Sequence, residues 1–121
     1  MMDRLDKTKR MNALIDAYAS LLTKRQRDIL SLYYEEDFSL AEIAENLSIS
    51  RAAVSDHLKR SEHLLKEYED KLNLLYLHDQ RSLIYDKIKA LNIEAVNSYI
   101  EELEKNEIQE DNMTKIIFYL F

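Results

Sequence analysis

No glycine and no proline occurs in the 121 residues of this chain. Tight β-hairpin turns rely on glycine or on the few residues that tolerate positive φ, and most other tight turns draw on one of the two missing types. Helices can be joined without them by Ser, Asn and Asp. Leu, Glu, Lys, Ile and Ala are abundant, and most of these are good helix formers. The chain therefore reads as all-α with short polar connections. Cysteine is also absent, which removes disulfides, thiolate metal sites and a cysteine nucleophile. No run approaches the roughly 18 consecutive apolar residues of a membrane span. The opening MMDRLDKTKR is charged and has no apolar core, so no signal peptide is predicted and the cytoplasm is the expected compartment.

The most informative stretch is FSLAEIAENLSISRAAVSDHLKR, residues 38–60. Ser39 has the position of an N-cap with Glu42 closing a capping box, and Phe38 and Ile43 have the spacing of a hydrophobic staple. Ser50 repeats the device between Ile49 and Val54, although Ala53 stands where a box needs Glu or Gln. These marks predict a helix over about 40–46, a turn over 47–49 and a second helix from Arg51. Leu40, Ile43, Ala44 and Leu47 fall on one face of the first helix, and Ile49, Val54 and Leu58 carry that apolar surface into the second. Ala44 is small enough to let the two cross closely. Two helices joined steeply by a short turn form a helix-turn-helix, whose second helix can enter a DNA major groove; a capped helical corner with no ligand has the same pattern.

LTKRQRDILSLYYEEDFSLAEIAENLSISRAAVSDHLKRSEHLLK, residues 22–66, resembles region 4 of sigma-70-type factors. It has the helix L-x-x-(K/R)-(Q/E)-R-x-(I/V)-L, then S-x-x-E-I-A-x-x-L-x-I-S, then a recognition helix. Over residues 11–91, including YEDKLNLLYLHDQR, the chain is similar to the YlxM-type proteins of Gram-positive bacteria. That resemblance implies a sigma-70 region 4-like helix-turn-helix bundle extended by a C-terminal helical tail. It also implies a small regulatory protein tied by gene neighbourhood to the signal recognition particle pathway, whose components become candidate partners. Relatives usually have glycine in the loop at 35–37 and in the turn at 48. Here Glu35-Glu36-Asp37 and Ser48 stand there, which suggests ordinary backbone angles in the first loop and a left-handed cost at Ser48.

Around this unit, apolar spacing predicts a helix over about 3–21, with Leu5, Met11, Leu14, Ile15, Tyr18, Leu21 and Leu22 on one face. Thr23 and Gln26 form another capping box, opening a helix to about Glu35 that buries Ile29, Leu30, Leu32 and Tyr33. After Arg60 no breaker appears until Leu77-His78-Asp79. Leu58, Ser61, Leu65, Tyr68, Leu72 and Leu75 step by three and four, so one helix of roughly 25 residues is predicted, with Leu65, Tyr68, Leu72 and Leu75 as an apolar seam. Asp79 is read as the cap of a helix to about Leu91, with Leu83, Ile84, Ile88 and Leu91 on one face. Asn92 is read as the cap of another over 93–106, with Ile93, Val96, Ile100 and Leu103 inward. Residues 106–112 read as a loop and 113–121 as a short helix whose Ile116, Ile117 and Leu120 seek cover. The division expected is 1–70 for the helix-turn-helix domain and 71–121 for the tail and oligomer contact. The seam is closed either by the chain's own tail or by a second copy in a homodimer.

The formal charge is −6, whereas DNA affinity comes mainly from Lys and Arg against phosphate. Residues 1–70 carry 11 basic and 14 acidic side chains and residues 71–121 carry 6 and 9, so each part is net −3. A DNA-binding face must then be a local cluster. Candidates on the recognition helix are Arg51, Ala52, Ser55, Asp56 and Lys59, with Arg60 suited to phosphate. Ser39 and Thr23 can set helix N-termini against phosphates. Asp56 is discordant, because a carboxylate there repels phosphate unless it accepts from a cytosine amino group. No cofactor is expected and catalysis is disfavoured. The three histidines, His57, His63 and His78, have no i, i+4 metal spacing, and neither a Gly-rich phosphate loop nor a nucleophile elbow is present. The two functions left open are a DNA-binding regulator and a protein-interaction adaptor of the signal recognition particle machinery.

Overall fold

A computed structural model of the protein describes residues 3–107, which are all-helical. The helices are α1 (Arg4–Tyr18), α2 (Lys24–Tyr34), α3 (Leu40–Leu47), α4 (Arg51–Leu72), α5 (Leu74–Lys89) and α6 (Glu94–Lys105), with a 3-10 turn over Ala19–Leu21 between α1 and α2. Helix α4 lies across α1, α2 and α3, and α5 returns along α1 before pairing with α6. One core joins them. Met11, Leu14, Ile15 and Tyr18 of α1 meet Ile29, Leu30 and Tyr34 of α2, Ile43 of α3, and Val54, Leu58 and Leu65 of α4. Each fully buried aliphatic side chain contributes about 1.5–3 kcal/mol through apolar burial.

The predicted caps are in place. The Thr23 hydroxyl accepts from the Gln26 amide at 3.2 Å while Gln26 Oε1 accepts from the Thr23 amide at 2.9 Å. Ser39 and Glu42 form the same reciprocal pair, both bonds at 3.1 Å. Ser50 caps α4 alone, accepting from the Ala53 amide at 3.0 Å. Between α3 and α4, Ser48 takes the left-handed conformation at φ 56°, and the Ile49 amide closes back on the Ala44 carbonyl at 3.1 Å.

Several expectations need correction. The loop after α2 does not have ordinary angles, since Asp37 is left-handed at φ 58°. The long helix ends at Leu72, because Asn73 turns left-handed at φ 55° and α5 starts at once, so Asp79 lies inside a helix and caps nothing. The three-and-four spacing runs through the break because Leu75 faces the same core on either side of it. Asn92 is likewise left-handed at φ 56°. Its amide bonds to the Lys89 carbonyl, so it closes α5, while α6 starts from Ile93 with no side-chain cap. Leu5, Ile93 and Leu103 are exposed rather than inward.

The seam of α4 is closed mostly within the chain. Leu65 and Leu75 are buried in the shared core and Tyr68 packs against it, leaving Leu72 exposed. Leu65 and Leu75 are therefore core residues of the chain, with Tyr68 packed on them. Ser61 is fully buried and satisfied by donating to the His57 carbonyl at 2.8 Å. Ile116, Ile117 and Leu120 lie outside the described residues.

The junction of α4 and α5 is held by Glu69. Its carboxylate is buried and accepts from the amides of Leu75 at 3.0 Å and Tyr76 at 2.9 Å, and from the Tyr18 hydroxyl. The Tyr18 oxygen in turn accepts from the Leu74 amide at 3.2 Å. Burial, with Glu69 as acceptor, pushes the Tyr18 pKa well above the ordinary phenol value. Glu69 thus does from the preceding helix what an N-cap side chain does locally. At the middle of α4, the Tyr34 hydroxyl donates to Glu62 and ties α2 to α4.

The α5–α6 pair is fastened at its open end by Glu107, which is buried. It accepts from Arg81 Nε at 2.7 Å and Nη2 at 2.8 Å, from Tyr85 Oη at 2.7 Å and from His78 Nδ1 at 3.0 Å. The hydrogen bond from Arg81 leads in lowering the Glu107 pKa to about 2.

Two predictions follow from these carboxylates. Glu69→Ala leaves two amides and a buried hydroxyl without their acceptor, so it should lower stability by about 2–4 kcal/mol, with Tyr18→Phe costing about 1 kcal/mol. Thermal unfolding measures both, and an unchanged midpoint for Glu69→Ala would contradict the junction described. For Glu107 the folded pKa lies below the unfolded one, so its stabilisation is full above the ordinary carboxylate range. It is lost as pH falls from about 4.5 towards about 2. Glu107→Gln should flatten the stability profile over that window.

Candidate nucleic-acid interface

The surface in question is built on α4, entered through the Ser50 cap. Val54, Leu58, Ser61 and Leu65 face the core, which turns Arg51, Ala52, Asp56, Lys59 and Arg60 outward, all exposed, with Ser55 half-buried at the edge. Ile43 and Val54 are fully buried where α3 meets α4, so the crossing that aims these side chains is rigid. Ser48 makes the turn without glycine.

Asp56 does not stand alone. Its carboxylate pairs with the Arg60 guanidinium one turn on at 2.7 Å, both side chains largely exposed. Such a pair contributes little to stability, roughly 0.3–0.5 kcal/mol, but it neutralises one of the cations assigned to phosphate. The i, i+4 spacing of Asp56 and Arg60 carried this signal in the sequence.

The first turn of α2 lies beside the middle of α4. Between them is a groove of about 570 Å³ lined by Thr23, Arg25, His57, Lys59, Arg60 and His63, among others. Thr23, Lys59 and Arg60 were expected from sequence and are brought together here. Arg25 and His63 join them only in the folded chain, because the packing of α2 on α4 sets Arg25 opposite Lys59 and Arg60. The first-turn amides of α2 have no intrahelical acceptor and carry the positive end of the helix dipole into this groove. Ser39 is not part of it. It lines a second groove of about 520 Å³ with Arg4, Lys7, Asp37 and Glu42, where acidic and basic groups mix. Thr23, Lys59 and Arg60 therefore line a basic groove and Ser39 a mixed groove at the start of α3, while Arg51, Ala52, Ser55 and Asp56 lie on the first turns of α4 and line neither.

Among the described residues, no helix is long and apolar enough to cross a membrane, and no group of three His, Asp or Glu stands together in a way that could hold a metal.

Residues 5–115 match the profile of the UPF0122 family, described as "Putative helix-turn-helix protein, YlxM / p13 like". The chain belongs to this family. UPF0122 protein YlxM of Bacillus subtilis is 48% identical over 106 residues, covering 84% of this chain and 96% of that protein. A UPF0122 protein of Exiguobacterium sibiricum is 52% identical over 89 residues, 74% of this chain and 84% of its own. One from Halalkalibacterium halodurans is 56% identical over 85 residues, 70% and 78% of the two. The family description and the geometry of α3 and α4 agree on the helix-turn-helix.

The Asp56–Arg60 pair makes a direct prediction. Asp56→Asn releases the Arg60 guanidinium and removes a negative charge from the exposed face. Stability should change by less than about 0.5 kcal/mol, while affinity for duplex DNA should rise roughly three- to tenfold. Unchanged affinity would mean that this face does not approach DNA.

Proposed function

We propose that this UPF0122 protein is a non-catalytic, cytoplasmic regulator that binds DNA through its helix-turn-helix. The observation that supports this best is the convergence of Arg25, Lys59 and Arg60 on one groove beside the middle of α4. A chain of net charge −6 can bind a polyanion only where its cations gather, and this is such a place. Arg51 is the candidate for a bidentate contact to guanine, with Ser55 and Ala52 beside it as lesser base contacts. Lys59, Arg60 and the first turn of α2 at Thr23 take phosphates. Ser39, on the mixed groove, has a lesser part.

A second function is favoured by the Asp56–Arg60 pair and by the net acidity. The same module would serve as an adaptor that docks on a protein or ribonucleoprotein. Components of the signal recognition particle are the partners suggested by the YlxM resemblance.

Binding to random duplex DNA, followed by fluorescence anisotropy over a range of salt, separates the two. A regulator using this groove should give a log–log slope of about −3 to −5, at roughly 0.9 per phosphate neutralised. Arg51→Ala and Lys59→Ala should each weaken binding and make the slope shallower by about one. No binding at low salt would remove the DNA function and leave the adaptor. Binding untouched by both substitutions would move the interface to another face.

A further inference from the structure

Helix α5 has two faces. Leu75 and Tyr85 are buried, and Arg81, Tyr85 and Lys89 reach across to Glu107 and Glu104 at the α6 end. The opposite face carries Tyr76, Leu77, Leu83 and Ile84, exposed by 56, 46, 56 and 54%, and Leu91, in the turn just past the helix end, continues it at 66%. Leu77, Ile84 and Leu91 are seven residues apart, as are Tyr76 and Leu83, so all five fall on one stripe. At 1.5 Å per residue it is roughly 22 Å long. Its start is fixed, because Glu69 holds the Tyr76 amide. Apolar pairs repeated along one helix face, broken only by Gln80 and Lys87, are the kind of surface that marks an interface, unlike scattered apolar residues.

The order of side chains along the stripe identifies the occupant. It runs Tyr76-Leu77, then Gln80, then Leu83-Ile84, then Lys87, then Ala90-Leu91. This pattern of apolar pair, polar residue, apolar pair, polar residue, apolar pair reads the same from either end. A second copy turned end for end about the point between Leu83 and Ile84 sets 76–77 against 90–91 and the central pair against itself. It also places Lys87 of each copy across from Gln80 and beside Asp79 of the other, so opposite charges meet twice. A two-fold contact needs this self-complementarity, because each residue i that meets j must also be met by j.

We propose that the outward face of α5 is the two-fold interface of a homodimer, with α5 packed antiparallel on α5 of a second copy. The dimer does not depend on nucleic-acid binding, and it carries two copies of α4, as a palindromic DNA site would require.

Sedimentation equilibrium of the full chain tests it. At about 100 µM the wild type should have twice the 14.4 kDa of one chain. Ile84→Glu should return it to the single-chain mass with its helical circular dichroism unchanged. Lys87→Glu should weaken dimerisation about tenfold, and adding Asp79→Lys should restore it, which a variant that merely unfolds could not do. A wild-type monomer would overturn the proposal. A dimer unaffected by Ile84→Glu and by the charge reversal would overturn it equally.

Discussion

The Glu69 carboxylate decides the path of the chain. It sits on the last turn of α4, yet it accepts from the first amides of α5 and from Tyr18 of α1. Three helices therefore meet on one buried side chain. Without it, the left-handed Asn73 would open onto a helix start with no side-chain cap of its own. With it, α4 stops at Leu72, Leu75 enters the core beside Leu65, and α5 is carried back along α1. The outward face of α5 and the position of Glu107 both follow from this turn. The helix-turn-helix is locked by the burial of Ile43 and Val54 near the start of α4 and by the Tyr34–Glu62 bond at its middle.

A chain without glycine must still turn, and the means are visible. Among the described residues, those with positive φ are Asp37, Ser48, Asn73 and Asn92. Asn and Asp tolerate the left-handed region best among the residues with a Cβ, because their short side chains bond locally. Ser48 is the exception. It costs about 1 kcal/mol, offset by the closing bonds of Ser48 and Ile49 to α3 carbonyls.

What could be read from the sequence follows the range of the interactions. The caps at Thr23, Ser39 and Ser50 are local, three residues wide, and all are found. The inward faces of α2, α3 and α4 have strong periodicity, and Ile29, Leu30, Ile43, Val54 and Leu58 are buried as expected. The break at Asn73 is hidden because its cap comes from Glu69 and its closure from Tyr18, 56 residues before the Leu74 amide it meets. No local signature records such a bond, and the apolar spacing passes through the break unaltered. Asn92 was recognised as a capping residue but placed on the wrong helix, since Asn serves at either kind of terminus. In the site, Lys59, Arg60 and Thr23 were legible one by one, whereas their meeting with Arg25 is a product of tertiary packing.

The electrostatics agree with a binding surface of limited extent. Several acidic groups pair with basic ones, as Glu104 does with Lys89 and, on the exposed face of α4 itself, Asp56 does with Arg60. What is left is a short basic arc running from the first turn of α2 across the middle of α4. The most direct test is an amide chemical-shift map of the isotope-labelled protein titrated with duplex DNA. Shifts confined to the first turn of α2 and to residues 51–63, with α5 and α6 unmoved, are the predicted result. A map that leaves those amides still while DNA is added, or that moves α5 and α6 instead, would contradict the assignment of this face.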